Sequence, residues 1–79
     1  MTHTPHELVE EFPEHVAQMT KLKASDAHFA KLVEEYHEVN RSVHRAETNV
    51  EPVEDLVEVE MRKTRATLKD EIWAILSKA

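Results

Sequence analysis

Apolar residues return along this chain on a seven-residue beat. Phe29, Leu32, Tyr36, Val39, Val43 and Ala46 follow one another at alternating spacings of three and four. Val53, Val57, Met61, Leu68, Ile72 and Ile75 keep a similar rhythm. Such spacing places one apolar stripe along each of two long helices, as in a helical hairpin or coiled coil. The first of these helices is expected over 27–47, roughly 30 Å long at ~1.5 Å per residue, and the second over 52–76. Between them Thr48, Asn49, Val50 and Glu51 read as a turn, with Asn49 the natural left-handed residue and Pro52 opening the next helix. So short a connection makes the two helices antiparallel.

Upstream the pattern is shorter and interrupted. Thr4-Pro5-His6-Glu7 has the form of a helix start: Thr4 as cap, Pro5 in the first position, Glu7 closing a capping box. Leu8, Phe12, Val16, Met19 and Leu22 then share a face, which gives an N-terminal helical segment over 4–24. Pro13 lies inside it and demands a break or a sharp kink. Ser25 or Asp26 is placed to cap the helix from Ala27. Nothing between Lys21 and Ala27 forbids a helix that runs straight through.

The charge pattern gives a register. Folding the chain about residue 50 sets Glu34, Glu35 and Glu38 against Arg62, Lys63 and Arg65. It also sets Arg41, His44 and Arg45 against Glu54, Asp55, Glu58 and Glu60. Exposed pairs of this kind contribute ~0.2–1 kcal/mol each, so they fix register more than stability. The stripe of the second long helix is interrupted at Thr64 and Arg65, which fall near Tyr36. Its ring is suited to cover the Arg stem, and its hydroxyl wants a polar partner.

Composition sharpens the picture. The 79 residues include no glycine and no cysteine, and four aromatics. Turns needing positive φ are therefore few, and disulfides and thiolate metal sites are excluded. One small domain over 1–79 is the most this length supports, with a core that is marginal without regular packing or association. The fold class is all-α: a short N-terminal segment and a long antiparallel hairpin. A homodimer forming a four-helix bundle is the favoured form, and a monomer whose N-terminal helix covers the hairpin is its rival. A net charge of −6 opposes contact with nucleic acid and anionic lipid. No apolar run is long enough to span a membrane. The opening MTHTPHELVEEF lacks the features of a signal peptide, so the cytoplasm is expected.

Chemistry-bearing patterns are sparse. Glu34 and His37 make a single Glu-x-x-His unit, whereas di-iron bundles need two with further carboxylates. No cofactor or metal is expected on that basis. Neither a phosphate-cradling glycine loop nor a nucleophile elbow is present, and a thin hairpin supplies no deep pocket, so an enzyme is not expected. Arg62, Arg65 and Lys69 share a helical face and suit phosphate contacts, although the acidic helix opposite competes for them. Phe12, Val16, Met19, Trp73 and Leu76 converge near the open end of the hairpin. They form either core or an interaction surface, core being the commoner fate of a lone Trp.

The segments PHELVEEFPEHV, LKASDAHFAKLVEEYHEVN, HRAETNVEP and LKDEIWAIL together resemble the YdcH-like family of small bacterial proteins, over His3 to Leu76. The resemblance implies an all-helical protein with a long antiparallel hairpin in the bacterial cytoplasm. It brings no activity and no site residues. The function these readings support is a non-enzymatic interaction or scaffold protein, acting on a protein partner or on its own copies. A nucleic-acid-associated role through Arg62, Arg65 and Lys69 is the alternative.

Overall fold

The computed structural model describes residues 5–48 and 54–78. Its elements are α1 (Leu8–Glu11), a 3-10 turn (Pro13–His15), α2 (Val16–Ser25), α3 (Ala27–Glu47) and α4 (Asp55–Leu76). α3 and α4 pack against each other as a hairpin, and α2 packs on α3. Residues 5–25 therefore form an arm that folds back along the hairpin. The expected turn at Thr48–Glu51 and the opening of α4 by Pro52 lie largely outside the described residues. Within them α4 begins at Asp55, behind Glu54.

α3 starts where its chemistry allows. Asp26 is extended (φ −129°, ψ 104°), and its carboxylate accepts from the amides of His28 (3.0 Å) and Phe29 (3.1 Å). Two orphan donors are thereby satisfied. The Asp26 amide meanwhile closes α2 on the Leu22 carbonyl at 2.8 Å. The helix is thus broken at Asp26, not continuous through it. At the far end the Thr48 hydroxyl donates to the His44 carbonyl.

The core lies where the arm meets the two stripes. Leu8, Met19, Phe29, Leu32, Val33, Tyr36, Leu68, Ile72 and Leu76 are buried together, with Phe12, Leu22, Val39 and Ile75 partly buried around them. α3 buries the widest face because it packs on both α4 and the arm. At full burial each large aliphatic or aromatic side chain contributes about 1.5–3 kcal/mol.

Two expectations are corrected. The helix start foreseen at Pro5 falls at Leu8 instead, and Pro5 and His6 form a turn. The Glu7 side chain makes no cap bond. The tertiary fold overrides the local signal here. The Tyr36 hydroxyl donates to the His6 carbonyl at 2.7 Å, and the Asn40 side-chain amide donates to the Pro5 carbonyl at 2.9 Å. His6 is drawn to φ 63°, the only positive φ among the described residues, at a cost of about 1–2 kcal/mol for a non-glycine residue. The polar partner expected for the Tyr36 hydroxyl is that carbonyl, while Arg65 donates to Asn40 Oδ1 at 3.0 Å. Second, the hairpin does not pivot on residue 50. The Asn40–Arg65 and Glu47–Arg62 contacts centre on residues 52 to 55. Arg62 is thereby carried past the Glu34–Glu38 block to Glu47.

Candidate interaction cleft

Pro13 is the cause of the one aromatic cleft the arm builds. It ends α1, and Phe12 leaves the helix with φ −130° and ψ 61°. Its ring then stacks on Trp73 of α4, centroids 5.5 Å apart and planes 12° from parallel. His15, in the 3-10 turn, stands edge-on to both rings, at 6.4 Å from Phe12 and 5.4 Å from Trp73. Lys69 lies one turn before Trp73. Its Nζ is 5.8 Å from the Phe12 centroid and 2.9 Å from Glu11 Oε1. That hydrogen bond holds the Glu11 carboxyl below the usual carboxylate value, against the opposing pull of burial.

The resulting cleft is open, about 420 Å³, and is also walled by Glu14 and Asp70. Glu11 and Lys69 cancel each other. Glu14 and Asp70 make no ion pair among the described residues, so the cleft carries uncompensated negative charge beside an indole that is 43% exposed. His15 Nδ1 is buried there without a hydrogen-bond partner. An aromatic face flanked by carboxylates attracts cations through the ring quadrupole and through Coulomb attraction.

The five residues expected as either core or an interaction surface are divided by the structure. Phe12 and Trp73 meet in the cleft. Met19 and Leu76 are core, 5% and 2% exposed. Val16 is exposed beside Val9 and Lys23 around a separate small hollow. The basic trio is dispersed among acceptors: Arg62 contacts Glu47 (3.0 Å) and Glu58 (2.7 Å), Arg65 contacts Asn40, and Lys69 contacts Glu11. His37 turns toward the arm, with Nδ1 3.0 Å from Glu7 Oε2 but off the axis of a hydrogen bond. Among the described residues no group of three or more His, Asp and Glu is placed to hold a metal ion, and no helix is long and apolar enough to cross a membrane.

Two features escaped the sequence. Asn40 is 1% exposed, and its side chain both donates and accepts, linking arm, α3 and α4 in one polar knot. Its place four residues after Tyr36 was the available signal. The second is a shallow apolar groove near the hairpin turn, lined by Val39, Leu56, Val57 and Met61 with Glu60 and Thr64.

The chain belongs to the family described as protein of unknown function (DUF465), whose model matches residues 29–76, the YdcH-like family that the sequence resembles. The match spans α3 and α4 and leaves the arm outside. No curated protein and no solved structure matches the chain.

Proposed function

We propose that this DUF465 protein is a non-enzymatic interaction module whose cleft receives an arginine or lysine side chain of a partner protein. The observation that carries the reading is the half-exposed Trp73 ring in a cleft also lined by two carboxylates, Glu14 and Asp70, that lack a cationic partner among the described residues. An incoming cation lies against the exposed part of the indole and neutralises the acidic wall. Cation–π attraction at such a site contributes ~0.5–1 kcal/mol, and each exposed ion pair ~0.2–1 kcal/mol. One side chain alone binds weakly, so the partner presents a basic segment. The cytoplasm is the setting this reading assumes. The nucleic-acid alternative is less well supported: phosphate must compete for Arg62, Arg65 and Lys69 with acceptors already within 3.0 Å.

Trp73 is the only tryptophan, so its fluorescence reports the cleft directly. Titration with an arginine-rich peptide is expected to give a saturable change that weakens with salt. Glu14→Gln and Asp70→Asn should each reduce affinity about two- to fivefold. A polyglutamate peptide should have no effect. Absence of a saturable change, or equal binding by both variants and the parent protein, refutes the reading.

A further inference from the structure

Asp26 is the single non-helical residue between α2 and α3. No glycine or proline occurs between Pro13 and Pro52, so the sequence itself supports a helix running through this point. The arm's attachments all join residues before Asp26 to residues after it. They include Tyr36 to His6, Asn40 to Pro5, Lys69 to Glu11, and the Gln18 side-chain amide to the Leu76 carbonyl at 3.0 Å. The arm of a second copy, laid on the same surface, satisfies the same groups.

We propose that two copies of this chain exchange arms. In the exchanged form Asp26 becomes helical, α2 and α3 fuse into one helix over 16–47, about 48 Å long at ~1.5 Å per residue, and each arm docks on the other copy's hairpin. The occupant of that face is thus a second copy, and its complementarity is the arm–hairpin contact already described. Only the hinge differs between the two forms. The folded-back hinge has two side-chain cap bonds at Asp26. The fused helix replaces them with backbone bonds from the amides of Ala27, His28 and Phe29 to the carbonyls of Lys23, Ala24 and Ser25. Entropy of association opposes exchange, so concentration sets the balance. Short hinges of this kind favour exchange between protomers. The proposal goes beyond the cleft reading, because exchange leaves each cleft intact, with Phe12 from one copy and Trp73 from the other.

Two substitutions push the hinge in opposite directions. Asp26→Ala removes the cap and weakens the folded-back hinge about fivefold. With two hinges per dimer, the association constant should rise about 25-fold. Ala27→Pro acts the other way. Proline suits the first position of α3 and favours the extended Asp26 already present. In the fused helix it removes the Ala27 amide bond and clashes with the Lys23 carbonyl, at a cost of about 100-fold per hinge. Sedimentation over a concentration series, with helicity checked by circular dichroism, is the assay. The expected order of dimer content is Asp26→Ala above the parent protein above Ala27→Pro, the last being monomeric.

A second measurement does not depend on how Ala27→Pro folds. Lys69→Arg, which keeps Glu11, is mixed with Glu11→Gln, which keeps Lys69, and a carbodiimide is added to condense carboxylate and amine into an amide across the 2.9 Å Glu11–Lys69 contact. Exchange yields a covalent heterodimer. Equal masses for both hinge variants, no heterodimer, or a dimer that survives Ala27→Pro but is lost on Val57→Lys in the turn-end groove, each overturns the proposal. The arginine-peptide titration of Ala27→Pro tests the cleft separately, since its cleft is the same.

Discussion

Replacing Asn40 with alanine tests the polar knot that binds arm to hairpin. Two hydrogen bonds disappear: the donation to Pro5 at 2.9 Å and the acceptance from Arg65 at 3.0 Å. The first is a neutral bond worth ~1 kcal/mol net, and the second, from a charged donor, is worth ~1.5–3 kcal/mol. Arg65 is only half-buried and recovers part of its loss by rehydration. The expected destabilisation is therefore about 2–3 kcal/mol. A chain of this length has a total stability of roughly 4–12 kcal/mol at ~0.05–0.15 kcal/mol per residue, so the loss is a large share of it. Urea unfolding followed by circular dichroism at fixed protein concentration should show a midpoint lowered by about 2 M, for a slope near ~1 kcal/mol/M. Arg65→Met keeps the aliphatic stem and removes the donor. In a double-mutant cycle it should couple to Asn40→Ala by more than ~1 kcal/mol. A destabilisation below ~0.5 kcal/mol for Asn40→Ala, or strict additivity with Arg65→Met, refutes the knot as an energetic feature.

Burial pushes the Tyr36 hydroxyl up to about 12 from its ordinary 10.0. Its folded-state value is raised, so the associated stability is present below pH 10 and is lost as pH climbs toward 12. Phenolate absorbance should appear together with loss of helical signal, and a phenolate forming near pH 10 in the folded protein contradicts this. The Glu11 carboxyl is lowered chiefly by its Lys69 hydrogen bond. Its contribution is therefore present above the unfolded value near 4.5 and is lost as pH falls below it. Lys69→Met should flatten that acid limb in pH-dependent unfolding. Ile72→Ala, at a site with 0% exposure, should cost about 2–5 kcal/mol. Leu56→Ala, at 71% exposure, should change stability by less than ~0.5 kcal/mol. Equal midpoints for the two variants would contradict the placement of the core.

The hairpin was legible because its signal is periodic and long. Phe29 through Ala46 can lie on one face only if α3 is a helix, and burial of Phe29, Leu32, Tyr36, Val43 and Ala46 follows. The break at Pro13 and the cap at Asp26 were legible for local reasons, a missing amide and a short acceptor side chain. What could not be read is tertiary in origin. A capping-box sequence before Leu8 is a local preference worth about 1 kcal/mol. It yields when Tyr36 and Asn40 draw the Pro5 and His6 carbonyls to themselves. Asn40 itself gives no periodic signal, since an isolated polar residue at the edge of a stripe is usually solvated. Charge blocks gave the right antiparallel sense and the wrong pivot, because register depends on where α4 begins, and no residue pattern fixed that at Asp55. Trp73 defied the usual fate of a lone tryptophan because Phe12, released by Pro13, and His15 pack against it yet leave it 43% exposed.

The brevity of the arm's helices has a consequence in time. α1 has four residues and α2 ten, both below the ~12–15 residues at which an isolated helix becomes even marginal in water. Each is helical only while the hairpin lends it a surface. Local opening is accordingly expected to begin with the arm, ahead of the hairpin. For as long as it is away, Tyr36 and Asn40 stand open to whatever chain arrives next.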